Sequence, residues 1–130
     1  MDVIEVGSQR RRQLVDVTSF VQEAVAASGL EEGVCQVAVP HTTAAVLLNE
    51  NADPAVGEDI LAALAAMVPA VAWRHAEGNS DAHVLSTLVG HSVTVPISNG
   101  ELALGRWQAV YLLELDGPRR RELWVTCIGG

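Results

Sequence analysis

Apolar and polar positions alternate from Val3 to Val6 and again from Gln13 to Val17, the period of half-buried strands, and the polar stretch Gly7 to Arg12 joins them. This pattern predicts an opening hairpin. The period then lengthens: Phe20, Val21, Ala24 and Val25 make a helical stripe. Thr18 or Ser19 offers its cap, Ser19 and Gln22 have capping-box spacing, and Gly29 stops the helix near Ser28. A β-rich run from Val34 to Val39 closes at Pro40, and a second apolar run, Ala44 to Leu48, follows His41-Thr42-Thr43. Asp53 before Pro54 is an N-cap followed by a proline in the first turn, and Val56, Ile60, Leu61, Leu64 and Met67 then repeat at helical spacing up to Pro69. A polar loop from Val71 to Ser80 precedes a short helix that Asp81 can cap and Gly90 ends. Strands from Ser92 to Ile97, Trp107 to Leu115 and Glu122 to Ile128 complete the chain, with turns at Asn99-Gly100 and Gly117-Pro118.

Strands that return through turns, with helices interspersed but no regular βαβ alternation, predict an α+β fold with a largely antiparallel sheet or sandwich. The length of 130 residues suits one domain covering residues 1–130. No apolar run approaches the ~20 residues that cross a bilayer, and the N-terminal segment lacks the layout of a secretory signal. Cys35 and Cys127 are far apart in sequence within β-branched surroundings and read as buried thiols, which fits a cytoplasmic location. Eight basic residues against sixteen acidic ones leave a formal charge of −8, a sign that disfavours nucleic-acid partners.

Polar chemistry gathers in three stretches. In HTTAAVLLNENADP, His41, Asn49, Glu50 and Asp53 bracket an apolar strand; alternation sends Asn49 and Glu50 to opposite faces unless a bulge intervenes, and Asp53 is a helix cap or a site acid. In RHAEGNSDAH, His75, Asp81 and His83 accompany a glycine-containing loop. Three histidines can form an open zinc-type site, or each can be hydrogen-bonded structure, because no HExxH or CxxC element selects between them. His91 opens a strand without a motif and reads as structural. In LGRWQAVYLLELDGPRRRELWV, Trp107 is core, interface or pocket wall, and the arginines on the turn are solvated or hold a phosphate. The nucleophile elbow, P-loop and dinucleotide fingerprint are missing.

Taken together, HTTAAVLLNENADP, HAEGNSDAH, LGRWQ, ELDGPRRR and the terminal VTCIGG resemble the YjbQ-like family, known as secondary thiamine-phosphate synthases. The resemblance covers most of the chain. It implies a compact α+β sandwich that forms a homotrimer, with a polar pocket near the subunit boundaries. It also implies a transferase that joins hydroxymethylpyrimidine diphosphate to thiazole phosphate and releases pyrophosphate; the alternative is a non-catalytic metal- or metabolite-binding trimer. By position, His41, Glu50 and Asp81 are the expected catalytic groups, and Asn49, Trp107, Gln108, Arg119 and Arg121 are expected to contact a small phosphorylated substrate. His41, His75 and His83 are the expected ligands of a divalent metal, zinc first and magnesium second. Three departures from the family pattern bear on substrate contacts: Leu85 stands where many relatives carry a basic residue, Arg106 interrupts a small-residue turn, and the chain ends Gly129-Gly130.

Overall fold

The computed structural model describes residues 1–130 as eight strands and three helices. They run β1 (Asp2–Gly7), β2 (Gln13–Asp16), α1 (Thr18–Ser28), β3 (Glu32–Ala38), β4 (Ala44–Glu50), α2 (Pro54–Ala66), α3 (Ser80–Val89), β5 (Ser92–Ser98), β6 (Glu101–Leu102), β7 (Gln108–Glu114) and β8 (Arg120–Gly129). One sheet has the order β1-β8-β3-β5-β6 and the other β2-β7-β4, and every pairing is antiparallel. The expected α+β class is the observed one.

Burial patterns explain why the two sheets look different in sequence. In the five-stranded sheet, Cys35, Val37, Val95, Ile97, Leu123 and Val125 point inward and alternate with exposed neighbours, the mark of a sheet with one covered face. The three-stranded sheet is covered on both faces. Val46, Val110 and Leu112 join the main core between the sheets, while Ala45, Leu113 and Leu115 meet Ala82 and Leu85 of α3 on the other side. Its strands therefore read as continuous apolar runs. Helix α1 inserts Val21, Ala24 and Val25 into the main core.

The first two strands do not form the expected hairpin: β1 pairs with β8 and β2 with β7, so they lie in different sheets. Alternation identifies a strand without naming its partner. The link between them is held by the β7–β8 turn, where Ser8 N donates to Arg119 O at 2.9 Å and Gly117 N to Arg11 O at 2.9 Å. A Cβ on Gly117 would collide with the Arg10 carbonyl, so this close approach requires glycine.

Two expected helix caps also move. Val17 occupies the capping position of α1, while Asp16 Oδ1 accepts from Thr18 N at 3.0 Å and Thr18 Oγ1 accepts from Val110 N at 2.9 Å. The threonine hydroxyl thus ties the helix to β7 instead of capping it. Asn79 precedes α3, which leaves Asp81 inside the first turn. Asp53 does cap α2, its Oδ1 accepting from Ala55 N at 2.9 Å, and Gly29, in a left-handed conformation (φ 71°), ends α1.

Candidate functional site

The His41-Thr42-Thr43 segment crosses from the five-stranded sheet to the three-stranded one, and hydrogen bonds on both sides fix its path. Val39 N donates to His91 O at 2.7 Å, and Leu115 N donates to Thr43 O at 3.3 Å. Arg121, only 3 % exposed, donates from one terminal nitrogen to Thr43 O at 3.0 Å and Thr43 Oγ1 at 2.9 Å. Its Nε bonds both oxygens of Glu114, at 2.9 and 3.1 Å. Glu114 is fully buried and also accepts from Ser8 Oγ at 2.7 Å and from Leu115 N and Asp116 N at 3.1 Å each. Burial alone would raise the Glu114 pKa, but the bonds from Arg121, Ser8 and Asp116 N hold it below the usual carboxylate range.

On this base the His41 ring is oriented by one contact: its Nε2 accepts from Glu122 N at 2.9 Å. An Nε2 that accepts a hydrogen bond must carry its lone pair, so the proton of the neutral ring sits on Nδ1. Burial, with the nearby Arg121 charge, pushes the His41 pKa below its ordinary value and favours this neutral form.

Two adjoining hollows share this ring. One, of about 400 Å³, is lined by His41, Thr42, His83, Ser86, Thr87 and His91. The other, of about 370 Å³, includes His41, Thr42, His91, Pro40, Val39 and Trp124. His91, read from sequence as structural, is therefore in both. No local motif marks it; it arrives because β5 pairs with β3 and sets His91 opposite Val39, just before His41. His75 stands outside these walls but meets His83 edge to face with ring centroids 5.3 Å apart, and its Nδ1 lies 3.2 Å from Ser80 Oγ.

Other expected residues lie elsewhere. His41 precedes β4 and Glu50 ends it, so the whole strand, roughly 20 Å long, lies between them. Glu50 lines a third hollow of about 300 Å³ with Asp53, Asn51, Arg10 and Tyr111, whose hydroxyl donates to Glu50 O at 3.1 Å. Strand β4 stays regular to Glu50, so Asn49 takes the other face, its Oδ1 accepting from Glu50 N at 2.6 Å. Gln108 pairs with Glu50 across the sheet and receives Gly105 N at 2.8 Å; the neighbouring Trp107 is exposed, with Arg106 stacked 4.8 Å from its ring centre. Asp81 is gripped by Arg11 and Arg12. Burial works against its charge, but the two guanidiniums prevail and hold its pKa below the usual range. Arg119 pairs with Asp116 at 2.9 Å. Leu85 is fully buried against β4 and β7, so this departure from the family pattern does not alter a pocket wall.

While Nε2 of His41 accepts the Glu122 N–H, neither nitrogen of the neutral ring has a lone pair to give a metal. His75 and His83 remain free of that restriction, and Glu77 lies 3.8 Å from His75 Nε2. No group of three or more His, Cys, Asp or Glu side chains converges as a metal-binding cluster.

Residues 2–130 match the family model described as UPF0047 protein YjbQ-like. A UPF0047 protein of Methanocaldococcus jannaschii is 45% identical over 127 residues, covering 96% of this chain and 91% of that protein. UPF0047 protein YugU of Bacillus subtilis is 37% identical, covering 99% of each chain. Among solved structures, an uncharacterized conserved protein of the YjbQ/UPF0047 family from Clostridium acetobutylicum superposes with a TM-score of 0.95 at 43% identity, covering 98% of this chain and 100% of its own. A YbjQ-like protein of unknown function from Sulfolobus solfataricus gives a TM-score of 0.93 at 37% identity, covering 99% and 96%. The chain belongs to the YjbQ-like UPF0047 family. No helix is long and apolar enough to cross a membrane.

Proposed function

We propose that this protein is a cytoplasmic small-molecule transferase that joins hydroxymethylpyrimidine diphosphate to thiazole phosphate and releases pyrophosphate, acting in the paired hollows around His41. The observation that carries the reading is the His41 ring, held by its Nε2 bond to Glu122 N so that its neutral form carries a donor at Nδ1, and lining a space also walled by His83, His91 and three hydroxyl-bearing side chains. Such a donor can hold a phosphate oxygen or pass a proton without bringing a fixed charge into the pocket. Trp124, Pro40 and Val39 give the adjoining hollow a less polar wall suited to a ring. Arg119 and Arg121 are already committed to Asp116 and Glu114, so they supply little free charge to a departing pyrophosphate. A divalent cation would provide that stabilisation when bound. Zinc suits the His75–His83 pair, whereas magnesium suits the carboxylates Glu50 and Asp53.

A homotrimer belongs to the same proposal. Asn49, Glu50, Trp107 and Gln108 stand at the far end of β4 from His41, and packing between copies offers a way to bring one subunit's acidic end to another's histidines. Support comes from apolar side chains left uncovered: Met67, Val71 and Trp73 after α2, and Val3, Val34, Trp124 and Ile128 on the outer face of the larger sheet. The paired tests are turnover and binding with purified protein supplied with magnesium or zinc. Formation of thiamine phosphate with matching pyrophosphate supports the transferase. Saturable binding of either phosphorylated substrate without product supports the second reading, a metal- or metabolite-binding trimer without catalysis, which the commitment of both turn arginines to acidic partners favours.

A further inference from the structure

The proposed chemistry leaves both cysteines unused, yet the fold sets them side by side. Cys35 of β3 and Cys127 of β8 are direct partners in the antiparallel register. The kind of partnership follows from the bonds that continue this ladder at its two ends. Val39 N donates to His91 O on the β5 side at 2.7 Å, and Gly130 N donates to Glu32 O on the β8 side at 3.4 Å. Bonding alternates along a central antiparallel strand, so odd-numbered residues of β3 bond toward β5 and even-numbered ones toward β8. Cys35 and Cys127 therefore form a non-hydrogen-bonded pair, the closer of the two arrangements, with Cα atoms about 4.5 Å apart, inside the span a disulfide bridges.

Both side chains face the same way. Cys35 is fully buried in the main core, and Cys127 packs against that core while keeping part of its surface open. Nearby, a Cβ on Gly33 would collide with the Ile128 carbonyl, so the two backbones press close at this end of the ladder. Burial pushes the Cys35 thiol up to about 12, and the charge and hydrogen bond of Cys127 add to the rise. Cys35 therefore keeps its proton, and the partly open Cys127 is the member that meets an oxidant.

We propose that Cys35 and Cys127 form a reversible dithiol–disulfide site oxidised by small hydroperoxides. The Cys127 thiolate attacks a peroxide oxygen, giving a sulfenic acid and hydroxide, or alkoxide from an organic hydroperoxide. The Cys35 sulfur then attacks the sulfenic sulfur; the S–S bond forms, the S–O bond breaks, and the departing hydroxide takes the Cys35 proton as water. With hydrogen peroxide the sum is two thiols and one peroxide to one disulfide and two waters.

The test uses the folded wild-type protein, treated with excess hydrogen peroxide and quenched. Its thiols are counted after denaturation, its intact mass is measured, and its peptides are mapped without reduction. The expected result is loss of both thiols together, a mass lower by two hydrogens, a Cys35–Cys127 linked peptide, and full return of both thiols with dithiothreitol. In Cys35→Ala the sulfenic acid on Cys127 has no internal partner and is trapped by dimedone. Gain of oxygen on Cys127 with Cys35 left free, linkage only between chains, or two thiols that survive treatment would each overturn the proposal.

Discussion

Replacing Glu114 by Gln conserves shape while removing the charge that neutralises Arg121. The carboxylate is fully buried and the guanidinium 3 % exposed, so water cannot take over the lost partner. Breaking one side of such a pair costs about 3–5 kcal/mol, a large share of the ~5–15 kcal/mol that holds a domain together. The expected drop in Tm is roughly 10–20 °C. Urea unfolding with the m-value checked for constancy gives the free energy. Arg121→Met together with Glu114→Gln removes both charges and should cost less than the sum of the single changes. A second readout separates the electrostatics from general loosening. Burial and Arg121 lower the His41 pKa whereas Glu114 raises it, so Glu114→Gln should move the His41 titration further down and Arg121→Met should move it up. NMR of the His41 ring protons reads both shifts. A stability loss under about 1 kcal/mol in either single variant, or His41 shifts of the same sign in both, would refute this reasoning.

Acid should weaken the fold in two windows. His41 has a lowered folded pKa, so its contribution is present above its ordinary value of 6.5 and is lost as pH falls through the folded one. Glu114, also lowered, contributes above 4.5 and loses that contribution at more acidic pH, a limb that Glu114→Gln should flatten in urea midpoints measured against pH. Asp53→Ala should cost about 1 kcal/mol by thermal unfolding, because the α2 cap to Ala55 N is lost. Sedimentation of dilute protein near neutral pH should show a trimer, and a persistent monomer would contradict the assembly.

Much of the fold was legible because its signals are local. The cap and proline at 53 and 54, the left-handed Gly29, and the Asn99-Gly100 turn (φ 53° and 77°) each act within a few residues. Pairing was not legible, since β1 reaches β8 across nearly the whole chain and nothing in alternation names that partner. The site divides along the same line. His41, His75 and His83 stand out by motif, but His91 enters through strand register, and Glu114 looks like any acid in a strand until its partners converge on it. Arg121 sits in a turn-flanking basic run that reads as solvent-facing, yet the inward side of β8 buries it.

The most direct test compares wild-type protein and His41→Asn in one assay for thiamine phosphate, with folding of the variant checked by near-UV circular dichroism. Asparagine can accept the Glu122 N–H but cannot shuttle a proton as imidazole does. The proposed function predicts product from the wild type and a rate lowered at least about 100-fold in the variant. Equal rates in the two proteins, or no product from either with magnesium or zinc present, would contradict a transferase centred on His41.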